Sequence, residues 1–278
     1  MKFSIVTISN NQDRFLQETI DSIRVSSPHE LQYVIVDPGS TDGSRERIER
    51  NRPRFHRVIL EKDKGPADGL NKGFAVCNGD IYAYVNSDDT LTPGALDWVA
   101  RYFERRPETD VLFGAVRMVD REGKPVLRGR TPDRFDLRRY AAGVCYVWNP
   151  STFIRREAFL RAAGFRVEND VHWDGELVVD LALTGARMAY TNQVLGTYRL
   201  HEASMTVSIQ RPGDSFGAKS NRQRMRLRER IRDAGVPLYS PAQQEVLRLI
   251  YKFNPLRHAR YLLAQYDKVG GRREIRPC

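Results

Sequence analysis

At 278 residues, 41% apolar and 29% charged, the chain has the make-up of a folded globular protein with one sizeable domain and room for an appendage; this excludes a disordered or low-complexity polypeptide. Three widely spaced cysteines, Cys77, Cys145 and Cys278, argue against a disulfide framework or a cysteine zinc site and for a reducing compartment. The net charge of +10 sits wholly in the last quarter, where residues 211–278 carry 16 Lys and Arg against 6 Asp and Glu while residues 1–210 balance.

The chain enters directly on an apolar run, Phe3–Ser9, which reads as a buried strand. Helix Arg14–Ile23 follows, with Phe15, Leu16, Ile20 and Ile23 near helical spacing, then a short strand Tyr33–Asp37 and the turn Pro38-Gly-Ser-Thr-Asp-Gly43. Helix Ser44–Arg50, strand Arg57–Leu60, helix Asp68–Cys77, strand 81–86 and a helix from Pro93 to Arg105 complete an alternating series. Such a rhythm predicts an α/β fold with a largely parallel sheet flanked by helices. Beyond it, Val111–Met118, Gly143–Trp148 and Val194–Arg199 read as strands, and Arg155–Ala163 and Gly175–Leu183 as helices. No signal peptide and no apolar run of about 18 residues is present, so the expectation is a cytoplasmic chain that does not span a membrane.

Strand 81–86 ends in Asp88-Asp89, and two charges cannot continue a buried strand without partners. They belong at the exposed carboxyl end, where open α/β sheets take their ligands. Two acidic oxygen donors there suit a hard divalent cation, whereas the plainer alternative is a loop capped by Thr92-Pro93 before the next helix. Thr7, Ser9 and Asp37 would line the same edge if the three strands are parallel. No G-x-G-x-x-G or G-x-x-x-x-G-K-[ST] occurs, so phosphate charge must be met by a cation or by basic side chains.

Val36-Asp-Pro-Gly-Ser-Thr-Asp-Gly-Ser44, Glu61-Lys-Asp-Lys-Gly-Pro-Ala-Asp-Gly-Leu-Asn-Lys-Gly73, Asn86-Ser-Asp-Asp89, Pro150-Ser-Thr-Phe-Ile-Arg-Arg156 and Tyr198-Arg-Leu-His-Glu-Ala-Ser-Met-Thr206 together resemble the family 2 glycosyltransferases of the bacterial cell envelope. The resemblance spans residues 2–206. It implies a GT-A fold, a nucleotide-sugar donor with UDP favoured, a Mn²⁺ or Mg²⁺ cofactor, a glycan or lipid-linked acceptor, and inversion at the anomeric carbon. By the same resemblance Thr7, Ser9 and Asp37 contact the nucleoside, Asp68 and Asn71 lie on the nucleotide-sugar side, and Asp88 faces the ribose or sugar. Asp89 is the principal metal ligand and His201 lies near the metal and diphosphate. Pro38 and Gly69-Leu70 depart from the family's usual residues.

An inverting transfer needs a base for the acceptor hydroxyl, and an Asp or Glu suffices. The matching segment, His172-Trp-Asp-Gly-Glu-Leu-Val-Val-Asp180, puts it on Asp174, with Asp170 as rival and an N-cap role for Asp174 as the structural alternative. His172 is a candidate for the acceptor side, and Trp148 and Trp173 for stacking on a sugar, core packing being at least as suited to Trp148. Cys77 reads as a buried small hydrophobe.

The expected organisation is a catalytic domain over 1–210, with a donor half to about 110 and an acceptor half to 210, and a basic helical tail over 211–278. In the tail, Arg222, Arg224, Arg226, Arg228, Arg230 and Arg232 alternate while Leu227, Ile231 and Ala234 leave a narrow apolar stripe; Val246–Tyr266 is richer in apolar residues. One reading docks this tail on anionic lipid at the inner face of the membrane; the other packs it on the catalytic domain or into a homodimer. A nucleic-acid partner lacks any recognition motif. A nucleotidyltransferase would want a glycine-rich loop after the first strand, and a catalytically silent nucleotide-sugar-binding or scaffold homologue is the remaining alternative.

Overall fold

The computed structural model describes residues 1–25, 30–126, 132–169, 171–202, 204 and 215–252. Strands and helices alternate as expected through the first half: β1 Phe3–Ile8, α1 Asp13–Val25, β2 Leu31–Val36, α2 Ser44–Arg50, β3 Arg57–Ile59, α3 Pro66–Ala75, β4 Ile81–Tyr84, β5 Thr90–Leu91 and α4 Ala95–Arg105. Then come β6 Val111–Val119, α5 Leu137–Ala141, β7 Thr152–Arg155, α6 Arg156–Arg161, α7 Trp173–Leu183, β8 Met188–Arg199, α8 Ser215–Asp233 and α9 Pro241–Lys252. All eight strands form one sheet in the order β3-β2-β1-β4-β7-β6-β8-β5.

The first four positions in that order are mutually parallel, as the strand-helix rhythm predicts. The sheet then turns mixed: β7 is antiparallel to both β4 and β6, β8 is parallel to β6, and β5 is antiparallel to β8. Two local expectations are corrected. Residues 144–148 form no strand despite their β-type composition, because both sides of β6 are already occupied by β7 and β8. A strand comes a few residues later, at 152–155, and α6 follows it from Arg156, within a residue of the helix start expected at Arg155. Thr92 is no cap: its hydroxyl donates to the Val194 carbonyl at 2.9 Å, and α4 starts after Gly94 in the left-handed region (φ 72°).

The continuous apolar runs of β1, β2 and β4 follow from burial on both faces. Phe3, Ile5, Tyr33, Ile35, Ile81 and Ala83 face one core with Leu16, Ile20 and Ile23 of α1 and Leu96, Val99 and Phe103 of α4. Their alternates Val6, Val34, Val36, Tyr82 and Tyr84 face a second core with Leu70 and Phe74 of α3, Phe159 of α6 and Trp173 and Leu177 of α7. Helix α3 lies very close to the sheet. A Cβ on Gly73 would collide with Val6 and stand 3.3 Å from Val36 Cγ2, so this position requires glycine. Cys77, at the end of that helix, is buried, its thiol 3.3 Å from the Gly73 carbonyl and pushed up by burial to about 11.

Helix α8 packs against the domain. Leu227 and Ile231 bury against Val179 of α7, with Leu137, Tyr140 and Ala141 around them. Arg230, on the same face, pairs with Glu176 and Asp180 of α7, both carboxylates being buried, and Arg166 takes the other oxygen of Asp180 at 2.7 Å. The second part of the tail, as far as it is described, is α9; Leu256, Tyr261, Leu262 and Cys278 lie outside the described residues.

Candidate active site at the carboxyl edge of the sheet

Parallel pairing of β2, β1 and β4 brings Asp37, Thr7 with Ser9, and Asp88 with Asp89 to one edge, as the sequence predicts. Each group is held differently. Asp37 is fully buried: one oxygen accepts from the Gly39 and Ser40 N–H groups (2.9 and 2.8 Å) and from Arg45 Nε (3.1 Å), the other from Ser40 Oγ (2.6 Å). Thr7 Oγ1 lies 3.2 Å from the buried Tyr33 hydroxyl. Ser9 is also buried, but its hydroxyl has no hydrogen-bond partner among the described residues.

The loop after β4 carries the acidic pair. The Thr19 hydroxyl of α1 donates to the carbonyls of Ser87 and Asp89 (2.9 and 2.7 Å), which ties this loop to the helix. Asp89 is 2% exposed; its Oδ1 accepts the Arg199 N–H at 3.0 Å and its Oδ2 has no hydrogen-bond partner among the described residues. Burial, and then the neighbouring Asp88 charge, push the Asp89 carboxyl well above the usual carboxylate range, with Arg199 opposing. A bound cation would reverse that balance. His201 Nε2 lies 2.9 Å from Asp88 Oδ2, and its ring rests on Phe15 at 4.7 Å. Asp88, Asp89 and His201 are thus brought together from positions far apart in the chain.

Arg199, not among the site residues expected from the sequence, organises this cluster. Its guanidinium is almost fully buried, lies over Phe15 at 4.9 Å, and donates to the carbonyls of Asp88, Asp120 and Arg121 and to the Glu18 carboxylate. Among the described residues no group of three or more His, Cys, Asp or Glu is arranged to hold a metal. Asp89 and His201 are two protein donors, and a cation that also binds phosphate oxygens needs only one or two. The orphaned, buried Asp89 Oδ2 fits that role.

Around α3 the structure adds Asp63. Its carboxyl accepts the Gly65 N–H at 2.9 Å, and burial together with the nearby Asp68 and Asp37 charges raises its proton affinity. A Cβ at residue 69 would stand 2.8 Å from Asp63 Oδ2, so any larger residue at this departure from the family's usual pattern would require the Asp63 side chain to shift. That departure was the available signal. Asp68 accepts the Lys64 N–H at 3.0 Å and faces Lys72. Asn71 spends both ends of its amide on the backbone of Phe165 (2.7 and 3.0 Å).

Asp174 lies in the first turn of α7, two residues past the cap position held by His172, so it is not the N-cap. One of its oxygens takes the Gly175 N–H at 2.7 Å and the other the Asn149 amide at 2.9 Å. Asn149 in turn accepts from the buried Tyr84 hydroxyl at 2.8 Å. Burial raises the Tyr84 phenol far above its ordinary value, and the nearby Asp174, Tyr140 and Asp89 groups add to this. His172 contacts Ser220 of α8 at 2.7 Å, and burial lowers its proton affinity. Trp173 is core, while Trp148 is partly buried among Tyr146 and Tyr198. Asp170, the rival base, lies outside the described residues.

A parallel half-sheet with a polar carboxyl edge defines a Rossmann-like α/β protein. The chain belongs to glycosyl transferase family 2, whose profile matches residues 4–161. It is 25% identical over 234 residues to an uncharacterized glycosyltransferase of Nostoc sp., covering 79% of this chain and 71% of that protein. To the O-antigen biosynthesis protein RfbC of Myxococcus xanthus it is 29% identical over 207 residues, covering 72% of this chain but only 16% of the relative. Among solved structures, S. aureus TarS 1–349 in complex with UDP-GlcNAc superposes with a TM-score of 0.66 at 18% identity, covering 96% of this chain and 80% of that one. The fold is the GT-A fold that the sequence resemblance implied.

Proposed function

We propose that this chain is a metal-dependent, inverting glycosyltransferase that moves a sugar from a UDP-sugar to a hydroxyl of a glycan or lipid-linked acceptor in cell-envelope polysaccharide synthesis. The observation that carries this reading is a group of unsatisfied polar atoms at one sheet edge. Ser9 Oγ, Asn86 Oδ1 and Asp89 Oδ2 are all buried without hydrogen-bond partners among the described residues, and all follow the adjacent strands β1 and β4. Buried polar groups are rarely left so, and three at one sheet edge point to a polar ligand that completes them. The UDP-GlcNAc held by the TarS structure and the O-antigen role of the Myxococcus relative support donor and pathway class.

In this reading Ser9 and Asp88 reach the donor directly. Thr7, Asp37, Asp68 and Asn71 form the nucleoside side of the edge, with Asp37 and Asn71 acting largely by holding their loops. Asp89 and His201 would hold Mn²⁺ or Mg²⁺, which when bound neutralises the charge of the departing diphosphate. Asp174 takes the proton from the attacking hydroxyl. Titration calorimetry with UDP, GDP and dTDP tests the donor side: UDP is expected to bind most tightly, and indifference to all three would favour a scaffold role.

The tail adds a proposed peripheral association with anionic membrane from the cytoplasmic side. Among the described residues no helix is long and apolar enough to cross a membrane. Helix α9, however, leaves Val246, Leu249 and Ile250 at 55, 50 and 60% exposure beside Arg248, in the segment that carries all of the excess positive charge. The full chain should co-sediment with phosphatidylglycerol vesicles at low salt and lose this in a Leu249→Asp/Ile250→Asp variant. Equal, salt-insensitive binding by both proteins would remove the lipid proposal.

A further inference from the structure

We propose that Asn149 is a positioning residue for Asp174 and that Tyr84 sets the orientation of the Asn149 amide. The inference rests on the assignment of Asp174 as base and goes beyond it to what aims that base. An ionised carboxylate only accepts hydrogen bonds, so the amide nitrogen of Asn149 must face Asp174 (2.9 Å). Its carbonyl end then faces Tyr84, whose hydroxyl donates to it at 2.8 Å. Flipping the amide would set its carbonyl oxygen against the carboxylate, and the phenol opposes that flip.

Each link is anchored by the fold. Tyr84 ends β4, and its ring packs on Phe165 and Trp173, both at 5.4 Å. Asn149 opens the short 3-10 turn that leads into β7, the strand paired with β4. The second Asp174 oxygen is fixed by the N–H of Gly175 on its own helix. The carboxylate is therefore gripped by both oxygens, one from α7 and one from the sheet, which leaves little freedom for its remaining lone pairs. A base so held meets an acceptor hydroxyl in one geometry, and misplacement by about 1 Å can cost about a hundredfold in rate.

The test uses the full chain and UDP release from a UDP-sugar. Asn149→Ala should lower kcat by ~10–100-fold while the KM for the donor and the Kd for UDP stay within about twofold. Tyr84→Phe, which keeps the ring and its packing, should produce a smaller loss of the same kind. On an Asp174→Asn background Asn149→Ala should cost nothing further, because its effect passes through Asp174. A urea-unfolding cycle of Asn149→Ala with Asp174→Ala reads the same contact without turnover, and the double variant should lose less than the sum of the singles. Normal kcat in Asn149→Ala, or additivity in both cycles, overturns the proposal. Were Asp174→Asn itself to turn over normally, the base assignment would fall; an inactive Asp174→Asn beside a fully active Asn149→Ala would remove the positioning role alone.

Discussion

Replacing Asp174 by Asn is expected to slow UDP release from the donor by ~10²–10⁴-fold, the range lost with a general base. UDP affinity should be unchanged, because Asp174 stands on α7, in the proposed acceptor half, while the atoms proposed to meet the donor stand at the ends of β1 and β4. The fold should survive. Asparagine has one acceptor oxygen, so it keeps only one of the two bonds the carboxylate accepts now, from the Asn149 amide or from the Gly175 N–H, and the expected loss is about 1 kcal/mol. Parallel measurements of kcat, UDP binding and the thermal midpoint separate the chemical loss from a structural one. Near-normal turnover with intact folding would return the base role to Asp170 or to a residue not yet considered.

The second large effect is on stability. Arg230→Ala should destabilise the chain by ~2–3 kcal/mol in urea melts, because it leaves Glu176 without its cation and removes one of two from Asp180. The figure is set below the 3–5 kcal/mol of a fully buried broken pair, since the Arg230 side chain is 29% exposed. Arg232→Ala supplies the control: its partner is the neighbouring Asp233, both are mostly exposed, and the change should stay within about 0.5 kcal/mol. Equal effects of the two substitutions would mean that α8 is not clamped to α7. If the clamp holds, removing α8 strips charge compensation and the Leu227–Ile231 face from the helix that bears Asp174. Residues 215–233 then act as a part of the acceptor half.

The donor half was legible because its signals are local. Apolar runs that stop at Asp37 and Asp88-Asp89 mark strand ends, and parallel pairing does the rest. The acceptor half was less so, because long-range pairing decides it. Residues 144–148 have strand-like composition but no free ladder to join, and the two-residue β5 exists only through its pairing with β8. Asn149 and Tyr84 stand 65 residues apart, and no spacing rule connects them. The tail offered a clue that could have been used. Leu227, Arg230 and Ile231 share a helix face, while Glu176 and Asp180 are one turn apart on a helix otherwise rich in Leu and Val. Acids on an apolar helix need cations, and a basic stripe with an apolar seam supplies them.

The buried Ser9, Asn86 and Asp89 oxygens at the ends of β1 and β4 are proposed to take a nucleotide diphosphate and its cation. Calorimetric titration of the full chain with UDP, in Mn²⁺ and again in EDTA, tests it most directly. Saturable one-to-one binding in Mn²⁺, weakened at least tenfold by EDTA or by Asp89→Asn, is the result expected at an edge where Asp89 holds the cation. No heat with UDP in either buffer, or UDP binding indifferent to both EDTA and Asp89→Asn, would contradict it.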